Sequence, residues 1–438
     1  MQARPTRRLF AVLLCAASLT SVSALEAQTY RQTWTTTDDF EQGAQINVNA
    51  TDPRDQLQLN LGQIETPYLW IANTYSDTVT KIDTATGRAE SVTTIPTGGG
   101  PSRTAVDLDF NCWVAVRLTG TGVAHKLRAS DGALIDTTQY VGRNTRGVAI
   151  NAAGEVWISS SVSDANQGGF GWMKVDSNSF QPLETFVNDI GSYGIAIDPY
   201  GRMFSTTSWL GGRSVQRFDG VTGELQQRWR VQHRTGNIYG FTVDIDGDVW
   251  GAYWSDPYVA WIDGDHQCPN NGVDCNISPG NGIIRDIDVR DAVQAAGGSA
   301  NLGGRGVAVD ANRFVWAVFN DLSGGGWEQA PSYAVKIDGT SGEPIRAVPT
   351  GRGSVGITPD ANGFIWVVNY GGGGANFQSS YTCPNGYNPS AGGTVTKLRS
   401  SDGSVVATYP TCGDRPYTYS DMAGYNLRSV TLRSGTWR

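Results

Sequence analysis

Apolar and polar positions alternate along much of the chain. Residues 305–320 read RGVAVDANRFVWAVFN: an alternating apolar run, a short polar turn, an aromatic and a second apolar run. Period-two alternation on both sides of a tight turn predicts an antiparallel hairpin. The pattern returns as RGVAINAAGEVWISSS (146–161), YGIAIDPYGRMFSTTS (193–208), YGFTVDIDGDVWGAYW (239–254) and VGITPDANGFIWVVNY (355–370). Its signature is Gly-Φ-Ala-Φ-Asp with Φ apolar, then two or three turn residues, then an aromatic anchor. The anchors are Trp70, Trp113, Trp157, Phe204, Trp250, Trp316 and Trp366, separated by 43, 44, 47, 46, 66 and 50 residues.

A second signature follows each anchor, a basic or aromatic residue, an apolar one and usually Asp. It reads KID (81–83), KL (126–127), KVD (174–176), RFD (217–219), WID (261–263), KID (336–338) and KL (397–398). Turn chemistry such as TATGR, ASDGA or GTSGE comes next, then one more strand. Each unit therefore carries four strands in about 45 residues, the period of a propeller blade. A lone blade has two apolar faces to cover, and a ring of blades covers them all. The predicted fold is all-β, a seven-bladed β-propeller of four-stranded antiparallel blades. YLWIAN (68–73) lacks a clear first-strand partner, and YTYSDMAGYNLRSVTL (417–432) has no anchor after it. The C-terminal segment is therefore expected to supply the first strand of the first blade and close the ring. The propeller spans 57–433, after a signal peptide (1–24) and a polar lead-in (25–56), with a C-terminal stub at 434–438.

Composition agrees with strands and turns. The 438 residues include 55 Gly and 14 Trp, with only 33 Lys and Arg. The net charge of −8 argues against nucleic acid or anionic membrane as a partner, since either needs a concentrated basic surface. Arg4, Arg7 and Arg8 precede the apolar run LFAVLLCAASL (9–19), and small residues end in VSA (22–24). This is the plan of a secretory signal, with cleavage expected after Ala24 and Ala27 as second choice. Leu13 and Leu14 before Cys15 are too large for a lipoprotein site. No other stretch approaches a membrane span, so the expectation is a secreted, periplasmic or extracellular monomer. Cys268 and Cys275 in CPNNGVDC, and Cys383 with Cys412, are the candidate disulfides, leaving Cys112 as a buried thiol.

In a propeller the connections before the first strand and after the second share one face. Here that face carries the long Gly-rich loops 159–172, 319–333 and 369–393 and the segment 291–305. Loops on a rigid scaffold are where binding residues concentrate. The residues opening each first strand should point near the central axis: Arg103, Arg146, Tyr193, Tyr239 and Arg305, with Val355. Converging arginines suggest a carboxylate, phosphate or sulfated-sugar ligand, or else pairing with acidic loop residues. Trp172, Trp209, Trp254, Trp327 and Tyr370 are candidate rim residues. No catalytic or metal-ligating set stands out; a divalent cation, Mg or Ca, has one candidate place, His266 beside Asp263 and Asp265. His125 reads as a half-exposed strand residue and His233 as part of a solvated edge.

The repeat, with its Gly-Ile openings (YGIAID, VGITPD) and Trp-plus-apolar anchors, resembles the virginiamycin B lyase (streptogramin lyase) family, distantly related to NHL-repeat proteins. The resemblance covers roughly 57–433 and implies a seven-bladed propeller. In that family elimination at a lactone depends on a His opening a first strand, with Glu and a further His around a Mg ion. Here the opening positions hold Arg, Tyr or Val. The positions three past the anchors are Asn73, Val116, Ser160, Thr207, Tyr253, Phe319 and Asn369. The resemblance thus implies the fold and carries over no catalytic residue. The expectation is a binding or scaffold protein for an extracellular carbohydrate, small anionic ligand or protein. The alternative is a lyase acting on a lactone or polysaccharide with a different active site.

Overall fold

The structure is a computed structural model that describes residues 35–40, 45–46, 48–51, 54–59, 65–96, 99–117, 122–139, 141–162, 170–188, 191–207, 213–419, 421–433 and 436–437. Residues 1–24, expected to be a signal peptide, lie outside the described residues. The chain divides into two compact units, Met1–Gly62 with Ser434–Arg438, and Gln63–Arg433. In the first, a short helix Thr37–Phe40 is followed by a hairpin of Val48–Thr51 and Arg54–Leu59. Gln45–Ile46 pairs with Thr436–Trp437, so the expected C-terminal stub has a partner.

The larger unit is all-β, built from a succession of antiparallel sheets in the manner of a propeller. Tyr68–Asn73, Thr78–Asp83 and Ala89–Thr94 form a three-stranded sheet. Four-stranded sheets begin at Pro101, Arg143, Leu302 and Ser354. Between Ser192 and Asp288 two such four-stranded arrays are joined into one nine-stranded sheet. The joining strand, Asp274–Pro279, runs parallel to Leu225–Val231 and to Gly282–Asp288. This insertion, tied by the Cys268–Cys275 disulfide, accounts for the 66-residue gap between Trp250 and Trp316.

The two sequence signatures prove to be one cross-strand pair. Trp70 faces Lys81, Trp113 Lys126, Trp157 Lys174, Phe204 Arg217, Trp250 Trp261, Trp316 Lys336 and Trp366 Lys397. Each anchor is essentially unexposed, and in four sheets the facing lysine lies over its ring: Lys126, Lys174, Lys336 and Lys397, the last 4.8 Å from the Trp366 centroid. The Asp of the first signature caps its turn with one oxygen and accepts the anchor's indole N–H with the other. The distances are 2.8 Å for Asp244–Trp250, 3.0 Å for Asp310–Trp316 and 2.8 Å for Asp360–Trp366. Burial pushes the Asp244 and Asp360 carboxyls up.

The cation's head then reaches the next sheet. Lys126 donates to the Ser177 carbonyl at 2.8 Å, Lys174 to Val221 at 3.0 Å, Arg217 to Gly264 at 2.7 Å and Lys336 to Ser400 at 2.8 Å. Lys397, in the last sheet, donates to Thr84 in the first at 2.7 Å. Where Trp261 replaces the cation, Arg285 on the following strand bonds the Ser341 carbonyl of the next sheet.

First strands of successive sheets lie side by side, and the Gly of the first signature permits it. A Cβ on Gly240 would stand 2.0 Å from the Arg305 carbonyl oxygen, and one on Gly356 would stand 1.8 Å from that of Thr418. Thr418 belongs to the C-terminal segment, which runs beside Tyr68–Asn73. Tyr417 N–H donates to the Ala72 carbonyl at 2.9 Å and Trp70 N–H to that of Met422 at 3.0 Å, with an isolated bridge between Asn73 and Pro416. No strand forms among the described residues of 417–432, where one was expected: the segment runs beside the first sheet with isolated backbone hydrogen bonds only. After Gly424, at positive φ, the chain turns into a helix, Tyr425–Arg433. Asp421 accepts the Asn426 and Leu427 amides at its start. Tyr425, Asn426 and Leu427 help line a cavity of about 60 Å³ with Val148, Ile195, Phe241, Val307 and Ile357, which come from five first strands.

Candidate functional site

Each first strand carries a bulge at its opening. The register slips between Pro101 and Thr104, Thr145 and Gly147, Ser192 and Gly194, Ile238 and Gly240, Gly304 and Val307, and Ser354 and Gly356. A bulged residue leaves the ladder and its side chain is re-aimed. Arg103, Arg146, Tyr193, Tyr239, Arg305 and Val355 occupy these slips, and the five polar ones come together. Tyr193 and Tyr239 share a hydrogen bond with rings 4.7 Å apart. Arg103 stacks 4.5 Å over Tyr193, Arg146 5.1 Å over Tyr193, and Arg305 5.4 Å over Tyr239.

The closing segment completes the cluster. Thr418 is turned to the first sheet, its hydroxyl accepting the Ala72 amide at 2.7 Å, and Tyr417 and Tyr419 on either side of it face the arginines. The Tyr417 hydroxyl bonds those of Tyr239 and, at 2.9 Å, Tyr193. Arg117 stacks 4.7 Å over Tyr417, and Arg103 4.7 Å over Tyr419. Sequence reasoning missed Tyr417, Tyr419 and Arg117 because its candidates came from strand openings and from aromatics in or beside the long connections. The signal available was the Tyr-Thr-Tyr alternation in the segment it had already assigned to closure.

The rim candidates separate. Trp254 lies 4.4 Å from Tyr239 and 3.6 Å from the Arg305 guanidinium; Trp327 lies 4.9 Å from Tyr370 and 6.2 Å from Tyr417. These three extend the cluster outward to Tyr75, half exposed, and Arg415. Trp172 does not join them: it is 2% exposed and packs on Phe218 in the core between two sheets. Trp209 lies outside the described residues. The long loop 369–393 is tied by the Cys383–Cys412 disulfide, and Cys112 is a buried free thiol.

Electrostatics sets this cluster apart. Arg103 is 2% exposed and Arg305 1%, and among the described residues no ion pair engages Arg103, Arg117, Arg146 or Arg305. Arg305 donates to the Gly304 carbonyl at 2.8 Å. Nε and one terminal nitrogen of both Arg103 and Arg146 have no hydrogen-bond partner. Burial lowers the Arg146 guanidinium and the four surrounding tyrosines raise it, with a net rise. Burial pushes Tyr193 up, and Tyr239 and Tyr419 well up. Tyr417 goes the other way: burial raises it, but Arg146, the hydroxyls of Tyr193 and Tyr239, and Arg117 outweigh burial and hold it down at about 8.

The histidines stand apart from the cluster. His125, expected half-exposed, is fully buried, pushed down to about 4 by burial, and bonds Thr137 at 2.8 Å. His233 pairs with Asp286 at 2.6 Å. Near His266, Asp265 is held by Arg202, and among the described residues no three His, Cys, Asp or Glu side chains gather as a cation would require. Three past the anchors, Asn73 and Asn369 bond Thr80 at 2.8 Å and Thr396 at 2.9 Å. The residues present do not fit the Mg of the lyase resemblance.

No family model matches the chain, and no curated protein matches it in sequence. Solved structures are similar to it in fold. A functionally unknown protein from Desulfotomaculum acetoxidans shares 11% identity over 80% of this chain and 98% of that one, with a TM-score of 0.54. Virginiamycin B lyase from Staphylococcus aureus shares 14% over 71% and 84%, TM-score 0.47; a streptogramin B lyase shares 13% over 70% and 91%, TM-score 0.49. The chain is thus distantly similar to the virginiamycin B lyases. Such identities speak for the fold alone. Among the described residues no helix is long and apolar enough to cross a membrane.

Proposed function

We propose that this chain is an exported, closed seven-bladed β-propeller that binds an anionic saccharide at the mouth of its channel. Closure is supported by the sheet-to-sheet hydrogen bonds that run from Lys126 through Lys397 back to Thr84, and by Thr418 lying between Gly356 and Ala72. Export is supported by the N-terminal sequence pattern and the two disulfides.

The observation that carries the binding reading is the set of buried arginines with unused donors. A guanidinium buried without an acceptor costs free energy that stacking on tyrosine offsets only in part. A carboxylate or sulfate supplies the missing acceptors, and guanidinium geometry suits it. The half-buried faces of Trp254 and Trp327 and the exposed ring of Tyr75 offer surfaces for sugar rings beside that charge. Calorimetry with oligogalacturonate, hyaluronan oligosaccharides and a neutral oligoglucan tests this. The anionic sugars should bind, weakening with salt, while the neutral one does not. The double variant Arg103→Met, Arg146→Met should lose binding; unchanged affinity in it would remove the mouth as the site.

A further inference from the structure

We infer that Tyr417 is the proton acceptor for a β-elimination on a uronate saccharide whose carboxylate is held by Arg103 and Arg146. The inference rests on the binding reading above and adds chemistry to it. Its basis is geometric. Tyr417 sits in the closing segment among the arginines, with its hydroxyl bonded to Tyr193 and Tyr239, so two hydroxyls are placed to donate to the phenolate form. Arg117 and Arg146 lie over its ring at 4.7 and 5.9 Å. The other charged or titratable groups around it, Arg103, Arg305, Tyr419 and Tyr370, add no carboxylate. An acid that does act on this aromatic cluster is Glu328, which raises Tyr370 and is itself exposed.

The chemistry needs what this cluster supplies. The hydrogen on the carbon next to a sugar carboxylate becomes acidic only when that carboxylate's charge is neutralised, which a buried guanidinium does. A base poised near neutral pH then removes it. In the step, the Tyr417 phenolate oxygen takes that proton and the C–H electron pair forms the double bond to the neighbouring carbon. The bond from that carbon to the glycosidic oxygen breaks, its pair stays on the oxygen, and that oxygen takes a proton from water. The products are a new saccharide end and an unsaturated uronate; nothing is oxidised or reduced. The downward shift of Tyr417, opposite to that of Tyr193, Tyr239 and Tyr419, agrees with this role.

The test uses the whole chain with oligogalacturonate, oligoguluronate and hyaluronan oligosaccharides as probes. At least one should yield the ultraviolet chromophore of the unsaturated uronate, with kcat rising as pH passes through about 8. Tyr417→Phe should lower kcat about 10²-fold or more while the Kd stays unchanged, and Arg146→Met should raise the Kd. Should Tyr417→Phe not fold, as judged by near-ultraviolet circular dichroism, the wild-type rate with probe deuterated at the reacting carbon decides. A primary isotope effect together with the pH rise supports the assignment, and a flat profile overturns it. Wild type that binds the probes but never forms the chromophore overturns the inference and leaves the binding reading standing. Failure to bind any of them removes both.

Discussion

Two sets of cations are buried in this molecule, and they are partnered differently. Out in the sheets, Lys126, Lys174, Arg217, Lys336 and Lys397 each lie over an aromatic ring and end on a backbone carbonyl of the next sheet. At the mouth, Arg103 and Arg146 also lie over aromatic rings, yet each keeps donor nitrogens with no acceptor. The first set is completed by the fold and joins sheet to sheet. The second is left incomplete by the fold, and this is where the proposed ligand would supply the acceptor. The same contrast holds for acids: Asp244, Asp310 and Asp360 are saturated by their own turns and an indole, whereas the mouth holds phenols instead of carboxylates.

The sharpest way to break this comparison is to remove a cation from the sheets. Lys397→Met deletes the bond from the last sheet to Thr84, and denaturant melts should record a loss of about 1.5–3 kcal/mol, the range for a hydrogen bond to a charged group. A loss as small as at the arginines would mean that the link does not hold the sheets together. Next comes Trp366→Phe, which leaves an Asp360 oxygen without its indole donor. It should cost about 1–2 kcal/mol, and less if Asp360→Asn is already present. The two changes should not add.

The phenol at the mouth gives a smaller effect with a definite sign. Tyr417 ionises at about 8 in the folded chain, below the phenol's ordinary value. The folded state therefore loses this proton before the unfolded state does. The stabilisation is full above an unfolded phenol's value of about 10 and is lost as pH falls through the folded one. The stability difference between wild type and Tyr417→Phe should widen as pH rises across that window. A difference that is flat or narrows would contradict the arrangement of Arg146 and Arg117 around this phenol. The smallest effect is expected from Arg103→Met. Replacing an unpartnered guanidinium by an apolar chain of similar length should leave stability within about 0.5 kcal/mol or raise it. A large loss would show that Arg103 is a structural cation like the lysines.

Much of this was legible because repeats expose structure. The Trp and Lys signatures, read separately in the sequence, are one cross-strand pair in the sheets, and the Gly before them is explained by the approach of neighbouring first strands. The strand openings pointed to Arg103, Arg146, Tyr193, Tyr239 and Arg305, and all five meet. The less legible parts are those that occur once. NLRSVTL alternates well enough to pass for a strand, but Asp421 and Gly424 start a helix there. Trp172, in a loop-adjacent strand, turned inward against Phe218 because its position faces a neighbouring sheet. Tyr417 and Arg117 belong to no repeat position that was ranked, so only the three-dimensional meeting of the closing segment with the mouth brings them into the site.

The most direct test of the central claim is a crystal structure of the protein with trigalacturonate. The account predicts a sugar carboxylate within hydrogen-bonding distance of Arg103 and Arg146, beside the Tyr417 hydroxyl. A trisaccharide seated elsewhere, with both guanidiniums untouched, would contradict it.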